Sequence, residues 1–439
     1  MTRTCGGRCK TVSACGGRRV VCPPSDAGFT IAPDLPCPGV HALVDKPPTL
    51  PVPFDPDRIL AEFDSVLDLA RDSLSDVAVT VQRRHHPGYK LVHKLVSDVV
   101  QTWGVPLSFV DIYHGDGMWC MPGELATREQ HPYKYGYGKV MHSGYHFLDL
   151  LLWLQSVNDT LLPDAKRPDS MELTSRHLSA QDVVAQVTPS ALGAMTGAAE
   201  AEVAASYQQF RESAVATELG ELNMHALVQF VRSAGRGPTS EEPRVVCTAS
   251  VNLLQNSLSR RAWFHPRADV YKGNGRVRHE RVVLNVGNLL SVHVHSYQSH
   301  EAGQPDGGGC TSSREAAVGT HTLLAELGLD EGWERRDPST SYGEGHEDHF
   351  DVTIYRNSAI IGGPAFEHVP IGHLVKRQAA PPWAAAGIGL AHNEFGRARI
   401  LEDWSNGRVS GTASLHEQRP TMELAARLYA DLRCRMENA

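Results

Sequence analysis

The sequence predicts two regions of different class: a parallel α/β sheet of partial size over residues 1–85, then an α+β domain over residues 86–439 with a large, mainly antiparallel sheet flanked by helices. Three observations point there. Short apolar runs at Arg19–Pro24, His41–Lys46 and Val77–Gln82 are separated by longer connections, one of them an amphipathic helix at Asp55–Asp72, which is the rhythm of a parallel sheet. Strands at Arg244–Leu258, Val277–Val286 and Leu289–Tyr297 then follow one another without a helix between them, and the last two meet at a tight turn around Gly287, the rhythm of antiparallel pairing. Between these regions lies the most apolar run of the chain, residues 136–154, with ionisable groups inside it.

Residues 1–20 are rich in Gly, Arg and Cys, and Cys-Gly-Gly-Arg occurs at 5–8 and again at 15–18. Neither copy makes G-x-G-x-x-G or follows an apolar strand, and the segment is expected to be poorly ordered or unusual and is assigned no chemistry. The first strand ends at Pro23 and Pro24, and the second is stopped by Pro47 and Pro48. Pro33, Pro36 and Pro38 make the connection between them a poor crossover helix. The helix at Asp55–Asp72 gathers Ile59, Leu60, Phe63, Val66, Leu67 and Leu69 on one side. After Arg-Arg-His-His-Pro at 83–87 come an amphipathic segment at Tyr89–Thr102, a strand at Leu107–Tyr113, and a polar, glycine-rich and aromatic loop at His114–Tyr135. A structureless connection of that length inside a compact domain is usually functional. Residues 158–220 mix polar loops with an alanine-rich helix around 197–217. Further on, 301–313 reads as a glycine-rich surface loop, 315–328 as a short helix, Asp351–Tyr355 with Ser358–Ile361 as a hairpin, and 417–436 as a closing amphipathic helix. His293, His295 and Tyr297 alternate on one strand face and read as a solvated or packed sheet surface; the acids and histidines at 344–351 read as a solvated loop in preference to a metal site.

The run at 136–154 carries the chemistry. On a helix, His142, His146, Asp149 and Trp153 share one face, while Phe147, Leu150, Leu151 and Leu154 line another. A helix apolar nearly all round is a buried one. Ser143 as N-cap would put His146 in the first turn, where the positive end of the helix dipole disfavours imidazolium and leaves a neutral base. Two other readings stand beside it. One is a core histidine hydrogen-bonded to Asp149 or to backbone; the other is a metal site of His142, His146 and Asp149, which lacks the Glu of H-E-x-x-H.

The 439 residues are 41% apolar and 21% charged, a globular and not a disordered composition. The net charge of -8 argues against a nucleic-acid or anionic-membrane partner. No apolar secretory segment opens the sequence and no run approaches the ~20 apolar residues of a membrane span, so a soluble cytoplasmic protein is expected. Nine cysteines form no disulfide framework, and Cys5, Cys9 and Cys15 lack zinc-type spacing.

Val-Asp-Lys-Pro at 44–47, Gln-Arg-Arg-His-His-Pro at 82–87 and the segment Gly138 to Asp149, in that order, resemble the Gfo/Idh/MocA family of NAD(P)-dependent oxidoreductases. The first stands in place of the family's Glu-Lys-Pro, and the third aligns with its Gly-x-x-x-Asp-x-Gly-x-His. Val-Val-Cys-Pro-Pro at 20–24 matches the family's strand ending in a Pro-containing turn. The resemblance implies hydride transfer between NAD or NADP and a hydroxyl or carbonyl carbon of a sugar, cyclitol or similar polyol. Lys46 would hydrogen-bond the reacting hydroxyl and His146 would take its proton. His142 stands where the family has Asp, with a proton relay or a substrate hydrogen bond as its role. Pro23, Pro24, Asp45, Lys46 and Pro47 would line the cofactor, and Arg84, Tyr113, His142 and Asp149 the substrate. A homo-oligomer is a further expectation. Only 45 residues precede Lys46, fewer than a strand, glycine turn and helix followed by two more strands require, so the Rossmann-like sheet is expected to be incomplete. A non-catalytic ligand-binding or assembly protein that has lost dinucleotide binding is therefore the rival expectation.

Overall fold

The computed structural model describes residues 10–15, 18–22, 41–51, 53–74, 76–129, 131–213, 220–232, 244–264, 275–299, 320–328, 348–377, 395–407 and 414–437. The strands are β1 (Lys10–Cys15), β2 (Arg18–Cys22), β3 (His41–Val44), β4 (Val77–Val79), β5 (Leu107–Gly115), β6 (Ser170–Ser179), β7 (Glu221–Val231), β8 (Val245–Leu254), β9 (Val277–Val286), β10 (Leu290–Ser299), β11 (Asp348–Arg356) and β12 (Phe366–Val369). The helices are α1 (Arg58–Asp72), α2 (Pro87–Trp103), α3 (Pro122–Thr127), α4 (Tyr145–Leu161), α5 (Ala180–Ala185), α6 (Pro189–Thr196), α7 (Glu200–Arg211), α8 (Thr320–Glu326), α9 (Ser358–Ile361), α10 (Ile371–Arg377), α11 (Phe395–Ser405) and α12 (Arg419–Glu437).

A small sheet has the order β1-β2-β3-β4, with β2, β3 and β4 parallel, as the sequence predicts. β3 and β4 are apolar on both faces because both are covered. Ala42, Val44, Val77 and Val79 join Ile59, Phe63 and Val66 of α1 in the main core, while Leu43 and Ala78 pack on Ile400 and Trp404 of α11. Lys10–Cys15, within the segment expected to be poorly ordered or unusual, is a strand pairing antiparallel with β2.

The large sheet has eight strands in the order β12-β11-β10-β9-β5-β8-β7-β6, antiparallel throughout except for the parallel pair β5–β8. Period-2 alternation divides its faces. Val110 and Ile112, Val282, Leu284 and Val286, Val292 and Val294, and Val352 and Ile354 point into one core with α2, α4 and α12. Asp111, Tyr113, Arg281, His293, His295 and Tyr297 occupy the opposite face, where Asp351 and His349 of β11 are buried. Pro87 at the first turn and Gly104, at φ 62°, bracket α2.

Several expectations are corrected. The loop 114–135 contains α3, and 158–220 contains a ten-residue strand, β6, whose polar pattern reflects an edge position with an exposed face. β7 goes unforeseen although it is buried in the sheet interior. Ser358–Ile361 is a helical turn, and β11 pairs with Phe366–Val369. The loop proposed at 301–313 lies outside the described residues.

Asn158, fully buried on α4, fixes the start of β5: its Oδ1 accepts from the Leu107 amide at 2.9 Å and its Nδ2 donates to the Leu107 carbonyl at 2.8 Å. Asn158→Ala leaves both backbone groups buried and unpaired, at about 1–3 kcal/mol each. A lowered urea midpoint with an unchanged m value is expected; an unaltered midpoint would refute this anchoring role.

Candidate functional site

The site forms where the carboxyl end of β3 meets the N-terminus of α4. Lys46 follows β3 directly, the Lys46–Pro47 peptide is cis, and the partly buried Lys46 Nζ donates to the main-chain carbonyl of His142 at 2.8 Å. That carbonyl is available because the chain does not enter α4 as an ordinary helix. Val140–Gly144 is a π-helical turn, closed by the Gly144 amide donating to the Lys139 carbonyl at 2.9 Å, with His142 at φ -78°, ψ -120°. Glycines permit the crowding: a Cβ at Gly138 would lie 2.0 Å from the Glu221 carbonyl oxygen, and one at Gly144 would lie 2.5 Å from that of Lys139. Ser143 is therefore not the N-cap. Its hydroxyl instead donates to Asp116 Oδ2 at 2.7 Å and accepts from Lys139 Nζ at 2.8 Å.

His146 still falls in the first turn of α4, buried, with its Nδ1 lacking any hydrogen-bond partner. Burial, then Lys46, Arg83, Arg397 and Arg278, holds its pKa well below 6.5. A neutral imidazole at neutral pH follows. Lys46 is pushed down to about 8, mainly by burial and against the pull of Asp45.

The other expected residues separate into groups. His142 contributes its carbonyl, while its ring turns away into an aromatic box, 5.0 Å from His131, 5.1 Å from Tyr133 and 5.4 Å from Tyr137, with neither ring nitrogen hydrogen-bonded. Arg84 and Asp149 are spent on each other: Nε to Oδ2 at 2.8 Å and Nη2 to Oδ1 at 2.6 Å, with Gln418 Nε2 adding a bond to Oδ1 at 3.0 Å. Tyr113 is not brought to the site. One residue of strand alternation puts it on the opposite face of the sheet, beside His279 and Arg281, while Ile112 and His114 face the helices. Asp45 sits at the rim, its Oδ1 accepting from Thr80 Oγ1 at 2.7 Å and from the Lys46 amide. Pro47 follows Lys46, whereas Pro23 and Pro24 lie outside the described residues. Among the described residues no group of three or more His, Cys, Asp or Glu side chains is arranged to hold a metal, and Asp149 already serves Arg84.

Sequence reasoning misses a buried ionic cluster beside this pair. Asp116 accepts from Lys139 at 3.0 Å and from Arg276; Glu280 accepts from Arg83 and lies 4.0 Å from Arg278; His114 stands between the two acids at 3.9 and 4.0 Å. The signal was present in β9: Arg276, Arg278 and Glu280 precede Val282, Leu284 and Val286 on one strand face, placing charges at core-facing positions.

No protein-family model and no curated protein matches the chain. Solved structures similar to it include an oxidoreductase from Agrobacterium radiobacter in complex with NAD+, L-tartaric acid and magnesium, at TM-score 0.43 and 10% identity, covering 89% of this chain and 70% of that one. Aldose-aldose oxidoreductase from Caulobacter crescentus, complexed with glycerol, overlaps at TM-score 0.42 and 12% identity over 90% and 70%. The WlbA dehydrogenase from Bordetella pertussis, in complex with NADH and UDP-GlcNAcA, overlaps at 0.41 and 10% over 90% and 70%. All three of these neighbours are described as oxidoreductases or dehydrogenases.

Asp149→Ala would remove two charged hydrogen bonds from the buried Arg84 guanidinium and leave it Glu417, 3.0 Å from its Nη1, a loss of about 1.5–3 kcal/mol; chemical denaturation checks this, and stability equal to the parent would show the pair to be dispensable. Acid should also loosen the site. Burial first, then nearby cations, depresses His131, His142 and His146 well below 6.5, so the folded state stays unprotonated where the unfolded chain binds protons. Stability is complete above about pH 6.5 and falls below it, by up to about 1.4 kcal/mol per pH unit for each histidine. Urea midpoints at pH 7.5 and 5.0 measure the fall, and equal midpoints would contradict neutral burial.

Proposed function

We propose that the protein is an NAD(P)-dependent oxidoreductase acting on a hydroxyl or carbonyl carbon of a sugar, cyclitol or similar polyol, with Lys46 and His146 as the catalytic pair. The observation that carries this reading is their convergence: a lysine ammonium held on the His142 carbonyl next to an imidazole that is buried, neutral and unpartnered at Nδ1. One ammonium hydrogen goes to the carbonyl, leaving the others for a substrate oxygen. His146 accepts the hydroxyl proton during oxidation and returns it during reduction. Lys46, whose pKa burial lowers to about 8, polarises the oxygen through that hydrogen bond, and the proton transfer falls to His146.

The residues present fit the nicotinamide end of a dinucleotide. Lys46 and Pro47 stand at the carboxyl end of a parallel strand, where open α/β sheets receive ligands, and Asp45 lies exposed at the rim. When bound, the nicotinamide supplies the carbon that takes or gives the hydride. Asp45, Lys46 and Pro47 would line it. His142 serves through its carbonyl, and Arg84 and Asp149 position the helix that carries His146. A homo-oligomer belongs to the same reading.

One observation favours a non-catalytic binding or assembly protein: among the described residues of the small sheet, no strand, glycine-rich turn and helix N-terminus follow one another. Titration with NADH and NADPH, followed by nucleotide fluorescence, separates the two readings. Saturable binding is expected, and a folded protein that binds neither nucleotide would support the rival. His146→Ala should then lower kcat by about 10²–10⁴ while leaving NADH binding in place; unchanged turnover would remove His146 from the mechanism.

A further inference from the structure

The turn that leads into α4 is gripped from two sides. A helix start leaves its first backbone amides without intrahelical partners, and where they are buried they need acceptors from elsewhere. Three successive amides find them on two residues distant in sequence. The Lys139 amide donates to the Glu221 main-chain carbonyl at 2.9 Å, the Val140 amide to Glu221 Oε1 at 2.7 Å, and the Gly138 amide to the Tyr429 hydroxyl at 3.3 Å. That hydroxyl in turn donates to Glu221 Oε1 at 2.9 Å, so the first residue of β7 and a residue of α12 meet over the turn. Glu221 and Tyr429 are both fully buried.

Short distances carry this grip to the catalytic pair. Val140 opens the π turn, the Gly144 amide closes it on the Lys139 carbonyl at 2.9 Å, and His142 inside it holds its carbonyl 2.8 Å from Lys46 Nζ. His146 follows Gly144 by two residues. Tyr429 also reaches the segment that leaves Lys46: its ring meets Phe54 edge-on at 4.9 Å between centroids, and Phe54 lies 5.8 Å from Tyr137. Among the described residues Glu221 enters no ion pair, and its Oε2 is buried without a hydrogen-bond partner. Burial pushes its carboxyl up to about 7, and protonated or ionised it offers Oε1 as an acceptor. The position uses the acceptor and not the charge.

We infer that Glu221 and Tyr429 are positioning residues for the reaction: together they hold the π turn in the geometry that presents the His142 carbonyl to Lys46 and starts α4 with His146 beside it. The inference rests on the oxidoreductase reading and extends its machinery to β7 and α12, two elements that supply neither member of the catalytic pair. Without an acceptor for the Val140 amide, the turn relaxes toward α-helical geometry, which aims the His142 carbonyl along the helix axis and away from Lys46. A displacement of about 1 Å at reacting groups can lower a rate about 10²-fold.

The test compares Glu221→Ala, Glu221→Gln and Tyr429→Phe with the parent, all as full chains. Acetylation of Lys46 by acetic anhydride, resolved by peptide mass spectrometry and normalised to the exposed Lys94, follows the Lys46 titration without any substrate. Scanned between about pH 6 and pH 10, the parent should show a midpoint of about 8. Glu221→Ala withdraws the carbonyl that favours the ammonium form, so its midpoint should fall. Glu221→Gln keeps an acceptor oxygen and should hold the parental value, with Tyr429→Phe between the two. In turnover of glucose or myo-inositol with NAD or NADP, Glu221→Ala should lower kcat about 10²-fold with KM and NADH affinity little changed, and Glu221→Gln should restore most of it. A Lys46 midpoint in folded Glu221→Ala that stays at the parental value or rises would overturn the inference, as would a loss in Glu221→Gln as large as in Glu221→Ala. Should Glu221→Ala fail to fold, Tyr429→Phe decides in the same terms: a lowered midpoint supports the positioning role and an unchanged one overturns it. A parent protein that turns over neither polyol would count against the oxidoreductase reading instead, and the Lys46 titration would still decide whether Glu221 and Tyr429 position that side chain.

Discussion

Two adjacent guanidinium groups determine how the small sheet meets the large one. Arg83 and Arg84 follow β4 within the short 3-10 turn Gln82–His85; Arg83 reaches Glu280 on β9, while Arg84 clasps Asp149 on α4 with two parallel bonds. Neighbouring residues thus bind the sheet and the helix of the other region at once, and each contact is buried. A planar fork suits this task better than an ammonium would, because bidentate geometry fixes orientation as well as distance. Lys46 and His146 come from the two parts being joined, so their meeting depends on this clamp. A buried ion pair adds little net stability compared with an apolar replacement, but it tolerates few alternative geometries, which suits a site assembled from separate elements.

Much of this was legible in the sequence. The parallel strands at β3 and β4, the helices α1, α2 and α12, and the hairpin of β9 and β10 all announce themselves by period and punctuation. The edge strand β6 did not, because one of its faces is solvated and its residues, Ser-Met-Glu-Leu-Thr-Ser-Arg-His-Leu-Ser, have no dominant apolar set. β7 was hidden for a different reason. Its buried positions include Glu221 and Asn223, which look like surface residues until their partners are known: Glu221 accepts from the Val140 amide and the Tyr429 hydroxyl, and Asn223 accepts from the amides of Gln255 and Asn256.

The site was half legible. The positions of Lys46 and His146 follow from motif order, and burial of the helix follows from its composition. The roles of Arg84 and Asp149 could not be read, since polar residues on the stripe of a buried helix serve equally well as ligands or as structural partners, and only three-dimensional pairing separates the cases. Tyr113 was misplaced for a sharper reason: strand alternation allows two phases, and phase is set by what covers each face. The same alternation hid the ionic cluster, whose members lie far apart in sequence, at 83, 116, 139, 276 and 280, and become neighbours only where β5 and β9 pair His114 with Glu280.

The π turn at Val140–Gly144 has a consequence for how this chain can vary in length. It holds one residue more than an α-helical turn, and each helical residue accounts for about 100° of rotation about the axis. Deleting a single residue between Gly138 and Tyr145 would therefore swing the whole of α4 by roughly that angle relative to the incoming chain, carrying His146 away from Lys46 and Asp149 away from Arg84 together. Homologous chains that keep the chemistry are thus constrained in spacing here more tightly than in residue identity.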